Sequence, residues 1–332
     1  MSAANQPEHD FARVIAISSG KGGVGKSTLA SNLGIALAAA GKKVCLFDAD
    51  TNLANINILL GIIPTHTLEH FFNDDLTIDN ILIKGPGGMD IVCGASGVAD
   101  FIQFSHLQQK KLTQALRSLE ESYHYLLIDT AAGIDETNIS LILAAPYLLL
   151  VITAEPTSLT DAFSLLRVLI KHHFQQPVLI VVNMAASRRS AQATFKRFKT
   201  AVSKYLQLQQ VHFIGYVLTD KNIPASILQQ QAILQYAPES PASQCILQIS
   251  ERLLTVFGKK QQNNTPFSDY FNDLTLSDEF DKQLHDIEQS PSSEMTQAFS
   301  RPKELTQKEF AQTNFLQASH YARLLAEKKF NR

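Results

Sequence analysis

From position 13 to about 257, short apolar runs bounded by turn residues alternate with longer stretches of helical period. That alternation predicts a mostly parallel sheet with helices on both faces, a doubly wound α/β domain. Strands are expected at 14–18, 44–48, 89–93, 125–129, 147–153, 178–183 and 212–216. The run Tyr-Leu-Leu-Leu-Val-Ile at 147–152 is continuously apolar rather than alternating, as a strand buried on both faces requires. Helices are expected at 26–40, closed by Gly41, and at 105–122, 158–173, 187–206 and 241–257.

After Gly258 the pattern changes to Gln, Asn, Ser, Asp and Glu, with prolines at 266, 291 and 302. The expected division is therefore a flexible N-terminus over 1–12, a folded domain over 13–257, and a polar linker and tail over 258–332. Two amphipathic pieces interrupt the tail. In the first, 267–274, Phe267, Tyr270, Phe271 and Leu274 fall at i, i+3, i+4 and i+7, while Asp269 and Asp273 occupy the opposite face. Those acids have the wrong sign for anionic lipid, so docking back on the folded domain or on a protein partner is at least as well supported. The second, 310–330, gathers Phe310, Phe315, Ala318, Tyr321, Ala322 and Leu325 within an arc of roughly 140° at about 100° per residue. Arg323, Lys328, Lys329 and Arg332 make it the better candidate for peripheral membrane contact, with a partner-binding helix as the alternative.

Charge and cysteine usage narrow the functional classes. The 332 residues carry 29 Lys and Arg against 31 Asp and Glu, a net charge of −2, so no global basic field holds nucleic acid. Cys45, Cys93 and Cys245 are far apart and form no CxxC pair, which argues against a disulfide framework and a closed zinc site. No leader pattern or membrane-length apolar run occurs, so a cytoplasmic protein is expected.

The chemistry concentrates at Gly20-Lys21-Gly22-Gly23-Val24-Gly25-Lys26-Ser27-Thr28, after a predicted strand and opening a predicted helix. Glycines let the backbone N–H groups curl toward phosphates, and the helix N-terminus lies beneath them. Lys26 is placed to neutralise phosphate charge and Ser27 to ligate magnesium, so ATP or ADP with Mg2+ are the expected cofactors. Further along, Asp48 and Asp50 end one strand and Asp129 ends another, at the edge where open α/β sheets bind ligands.

The pattern Lys-Gly-Gly-Val-Gly-Lys-Ser resembles the deviant Walker A loop of the MinD/ParA family. The resemblance covers roughly residues 12–257. It implies that Lys21 reaches the partner subunit's nucleotide, so that ATP joins two protomers. It also implies that Asp50 activates the attacking water and that Asn55 belongs to switch I and the dimer contact. Asp129 holds magnesium through water, Asp48 braces the loop or the magnesium waters, and Gly133 lets switch II swing. Asn183 and Asp220 are the expected adenine contacts, although relatives commonly carry a proline just ahead of that acid where this chain has Thr219. The stretches at 84–92, 129–134 and 155–162 look closer to the FlhG/FleN branch, which sets the number and placement of polar flagella. That implies slow ATP hydrolysis and, as partners, a FleQ-like flagellar transcription activator or an FlhF-like GTPase. It also implies attachment to the inner face of the membrane or the cell pole.

Two departures qualify the branch: nothing before Arg13 matches a DQAxxLR-like GTPase-activating segment, and the tail is long. Alternatives are a ParA-like positioning ATPase for another polar machine or for DNA, and a metal-cluster carrier. Arg188, Arg189, Lys196, Arg197, Lys199 and Lys204 in the 187–206 helix would serve DNA, but a solvated helix face is the preferred reading, and nucleic acid is not an expected partner.

Overall fold

The computed structural model describes residues 11–50, 55–74, 76–94, 105–258 and 266–275. The predicted piece at 310–330 and most of the N-terminal segment lie outside these described residues. Each apolar run becomes a strand of one sheet. In chain order the strands are β1 (Arg13–Ser19), β2 (Val44–Asp48), β3 (Leu82–Lys84), β4 (Asp90–Val92), β5 (Tyr125–Ala132), β6 (Tyr147–Ile152), β7 (Val178–Ala185) and β8 (Val211–Leu218). They are ordered β3-β4-β2-β5-β1-β6-β7-β8, and β3 alone runs antiparallel to its neighbour. β2 and β6 are buried along their whole length, as continuous apolar runs between two helical layers must be.

The helices are α1 (Lys26–Ala39), α2 (Ile56–Leu59), α3 (Leu68–Asn73), α4 (Ile78–Ile81), α5 (His106–Ser122), α6 (Glu136–Ala144), α7 (Pro156–Lys171), α8 (Arg188–Tyr205), α9 (Asn222–Leu228), α10 (Ile233–Tyr236), α11 (Pro241–Phe257) and α12 (Phe267–Thr275). Their faces follow from crossover handedness. The steps β4 to β5, β5 to β6, β6 to β7 and β7 to β8 all run in one direction across the sheet, so right-handed connections put α5, α6, α7 and α8 on one face. The step β1 to β2 runs the other way and puts α1 on the opposite face, where α11 packs against it.

Capping sets several boundaries. Ser105, Ser187 and Ser240 each accept the backbone N–H three residues on, opening α5, α8 and α11. α7 begins at Pro156, two residues before the start expected from periodicity, because a proline at the first helical position needs no N–H partner. α6 escapes a periodicity reading altogether, since Ile139, Leu141, Ile142 and Leu143 leave almost no polar face and the helix is buried all round.

The aromatic piece after the domain docks back. α12 packs against α5 and α6, with Phe267 and Phe271 each 2% exposed. The buried carboxylate of Glu120 accepts the backbone N–H groups of Phe267 and Ser268 at 2.8 and 3.0 Å, satisfying orphan donors at the start of α12. Arg117 adds an ion pair to Asp269 at 3.2 Å. Among the described residues no helix is long and apolar enough to cross a membrane.

Candidate functional site

β1 stops at Ser19 and α1 starts at Lys26, and the glycine loop between them turns through left-handed backbone at Gly23 (φ 79°) and Gly25 (φ 83°). Two contacts hold it in place. A Cβ on Gly20 would fall inside the Asp161–Ala162 peptide of α7, so only glycine lets the loop lie that close. On the far side Asn183 Nδ2 donates to the Val24 carbonyl at 2.7 Å, and its amide fills the space a Cβ on Gly25 would need.

Lys26 and Asp129 meet inside the site. Nζ lies 2.7 Å from Oδ1, with the lysine side chain 7% and the aspartate 1% exposed. Nζ is also 3.5 Å from the Ser27 hydroxyl. Asp48 and Asp129 are register partners on adjacent strands β2 and β5. Burial first, then the Asp129 charge, pushes the Asp48 carboxyl up to about 7, against the opposing pull of backbone N–H donors and Lys26. Two buried acids flanked by a lysine and a serine hydroxyl form a donor set that fits a hydrated divalent cation, whose charge would offset their repulsion. Asp48 does more than brace the loop. Its Oδ1 accepts the Asp50 N–H at 3.3 Å, and its Oδ2 accepts those of Asn55 and Ile56 at 3.2 and 3.3 Å, tying both ends of the predicted switch I to β2.

From the glycine loop a cleft of about 790 Å3 extends toward β7 and β8. Gly22, Gly23, Gly25, Lys26, Ser27, Thr28, Asp50 and Asn55 line it, and so do Asn183, which lies against Gly25, and Asp220. Asp220 accepts the N–H groups of Asn222 and Ala242 at 2.9 and 3.1 Å. Burial works to raise its pKa, but these donors hold it below the usual carboxylate range. Asn183 Oδ1 is taken by the Met184 N–H at 2.8 Å. Both predicted adenine contacts thus serve the local backbone as well as the cleft. Met184, Pro224 and Ile227 form apolar wall that motif reading does not pick out. The left-handed backbone of Met184 (φ 52°) is what turns an exposed side chain off the end of buried β7.

Gly133, at φ 107°, donates its N–H to the Ser19 carbonyl at 3.1 Å, and its own carbonyl accepts from Asn138 of α6 at 2.6 Å. Lys21 stands outside the cleft. Its ammonium pairs with Glu155 at 3.0 Å and with the Thr157 hydroxyl at 3.2 Å at the start of α7, and its side chain is 41% exposed.

A glycine loop between a parallel strand and a helix, its lysine paired with an acid within β5, and a second acid at the end of neighbouring β2 define a P-loop nucleotide hydrolase; β5 runs three residues past Asp129, the residue expected at its end. A family model, ParA, described as the NUBPL iron-transfer P-loop NTPase, matches residues 10–254. The chain is 34% identical to the antiactivator FleN of Pseudomonas aeruginosa over 241 residues, 73% of this chain and 86% of that protein. It is 28% identical to the flagellum site-determining protein YlxH of Helicobacter pylori over 73% of this chain and 82% of the relative. Among solved structures, MinD of Pyrococcus horikoshii complexed with Mg-ADP matches at 25% identity and a TM-score of 0.59, over 76% of this chain and all of that one. The chain therefore belongs to the ParA/MinD family of P-loop NTPases. It is an ATP hydrolase built on the MinD-like fold.

Proposed function

We propose that this chain is an ATP-switched homodimer that sets the number or placement of polar flagella. The observation carrying that reading is the 34% identity to an antiactivator across nearly the whole folded domain, supported by the similarity to a flagellum site-determining protein. Its partners would be a flagellar transcription activator of the FleQ type or an FlhF-like GTPase, met in the cytoplasm or at the inner face of the membrane near the pole. Attachment there would be peripheral, through the tail.

Mg-ATP supplies the scissile phosphoanhydride bond and the cation's charge. Around it this chain positions rather than reacts, because phosphoryl transfer asks little covalent chemistry of side chains. The glycine loop N–H groups and Lys26 hold the phosphates, Ser27 with Asp129 and Asp48 holds the cation and its waters, and Asp50 orients the attacking water. Thr28, Asn183 and Asp220 bound the nucleotide cleft. Lys21, exposed outside the cleft with its ammonium held by Glu155 and Thr157, would trade Glu155 for a partner subunit's phosphate. Asn55 and Gly133 carry the switch and dimer contacts.

A metal-cluster carrier finds less support, although the family model's description mentions iron transfer. The three cysteines are buried separately, and no group of three or more His, Cys, Asp and Glu able to hold a metal occurs among the described residues.

Light scattering of wild type, Lys21→Ala and Asp50→Ala, each without nucleotide, with ADP and with Mg-ATP, tests the switch. Dimers are expected only with ATP in wild type, persisting in Asp50→Ala and absent in Lys21→Ala. A mass indifferent to ATP in all three rules the switch out. The flagellar role is tested separately by counting flagella in cells lacking the chain.

A further inference from the structure

Beyond the glycine loop the cleft is mainly apolar, yet it holds an acid. Met184, Ile223, Pro224 and Ile227 line it with surface that suits the flat face of a nucleotide base once the loop has taken the phosphates. Asp220, on the loop between β8 and α9, lines the same cleft. The donors around it hold its pKa below the usual carboxylate range, so at neutral pH it is an anion that can only accept hydrogen bonds. Which base it can serve depends on the acceptor positions left open.

A carboxylate has about four such positions, roughly two on each oxygen. Asp220 Oδ1 takes the backbone N–H of Asn222 at 2.9 Å and the Asn222 side-chain Nδ2–H at 2.8 Å, which fills it. Oδ2 takes the Ala242 N–H at 3.1 Å, and the Ser240 hydroxyl further stabilises the anion. Any open position therefore lies on Oδ2. Because Ala242 belongs to α11 and Asn222 to α9, the carboxylate is anchored from two helices and cannot rotate to present a fresh pair of positions.

The two purines meet this acid differently. Guanine presents its N1–H and a 2-amino N–H side by side, a pair that a carboxylate grips only as a fork, through both oxygens. With Oδ1 filled the fork cannot form, and burying the second donor unpaired in an apolar cleft costs affinity. Adenine has no N1–H. It offers a 6-amino N–H on that edge, which a single open position satisfies.

We propose that Asp220 selects adenine over guanine because Asn222 occupies its Oδ1. Asp220 is then the specificity-determining residue of the cleft and Asn222 the residue that positions it. This inference rests on the reading of the cleft as the nucleotide site.

Isothermal titration calorimetry of the full chain with Mg-ADP, Mg-GDP, Mg-IDP and Mg-pyrophosphate tests it without turnover. Inosine diphosphate keeps the N1–H of guanine but lacks the 2-amino group, so the ratio of GDP to IDP affinity reads the second donor alone. Wild type should bind ADP about 10-fold or more tightly than GDP, and GDP no better than IDP. Asn222→Ala keeps the backbone N–H but frees a position on Oδ1, and should raise GDP affinity relative to IDP about 10-fold, as a bidentate pair forms. A general loosening of the cleft would move GDP and IDP together. Adding Asp220→Ala should abolish the gain, and a circular dichroism melt checks that both variants fold. A GDP-to-IDP ratio unchanged by Asn222→Ala in folded protein, or a gain that survives Asp220→Ala, overturns the proposal. Wild type that binds GDP as tightly as ADP, or more tightly than IDP, overturns it without any variant. ADP bound no more tightly than pyrophosphate defeats the reading of the cleft itself, and this inference with it.

Discussion

Lys26 Nζ sits 2.7 Å from Asp129 Oδ1, and the pair is buried beside a second carboxylate, Asp48. The lysine proposed to hold phosphate therefore also offsets the repulsion between two neighbouring acids. Lys26→Gln should lower ATP hydrolysis by about 100-fold or more, the scale of losing one transition-state donor. It should also destabilise the nucleotide-free fold by about 3–5 kcal/mol, because an unpaired buried charge is left behind. Adding Asp129→Asn should recover part of that stability but none of the activity. A double variant less stable than Lys26→Gln in urea unfolding would show that the pair is not the cause.

Asp48 gives the nucleotide-free protein a pH dependence of definite sign. Its carboxyl is raised from about 3.8 to about 7, mainly by burial and by Asp129. Between those values the folded chain holds a proton that the unfolded chain releases. This group's contribution to stability is therefore present at low pH and lost as pH rises through the window toward 7. Urea midpoints measured from pH 5 to 7.5 should carry this downward component, and Asp48→Asn, which cannot ionise, should remove it. An unchanged slope in the variant would place the titration elsewhere. Saturating Mg-ADP should flatten the wild-type slope, since cation charge favours the ionised form.

Gly20 is held by space rather than by torsion. Its Cβ position falls in the Asp161–Ala162 backbone, which unlike a side chain cannot rotate away. Gly20→Ala should cost about 1–3 kcal/mol of stability by overpacking, and nucleotide affinity should fall as the loop is pushed off α7. By contrast Gly22 has nothing within 4 Å of that position and no positive φ, so Gly22→Ala should leave stability nearly unchanged. Equal losses in the two variants would refute the packing argument.

Most of this architecture is legible in the sequence because it rests on local signals. The buried strands are continuous apolar runs, and the glycine loop lies in register between strand and helix. What periodicity misses is held by tertiary contact. Short α2, α9 and α10 have too few turns for a period to register, and α6 has no polar face to contrast with its apolar one. Likewise Asp220 reads as a ligand contact from its position, yet only the fold shows its oxygens committed to the N–H groups of Asn222 and Ala242. Asp48 reads as a brace, but its grip on Asn55 and Ile56 spans residues whose approach no spacing rule encodes. The aromatic face of 267–274 is plain in the sequence, whereas its resting place depends on Glu120, a buried acid on a helix far upstream.

Glu120 is the latch of α12. It is 1% exposed, and it accepts two backbone N–H groups at 2.8 and 3.0 Å where the helix begins. Hydrogen bonds to a charged acceptor contribute about 1.5–3 kcal/mol each, and these two act on one short helix that is also held by buried Phe267 and Phe271 and by the exposed Arg117–Asp269 pair. Glu120→Ala should therefore raise hydrogen exchange across Phe267–Phe271 by one to two orders of magnitude, while exchange in the β-sheet core stays slow. Glu120→Gln keeps an acceptor oxygen without the charge and should fall between the two. Because α12 also packs on α6, whose Asn138 holds the Gly133 carbonyl at 2.6 Å, its loosening should spread to switch II and raise exchange there. If exchange at α12 rises while switch II is unaffected, the two are mechanically separate. If α12 itself is unaffected, its aromatic side chains suffice and the carboxylate is no latch.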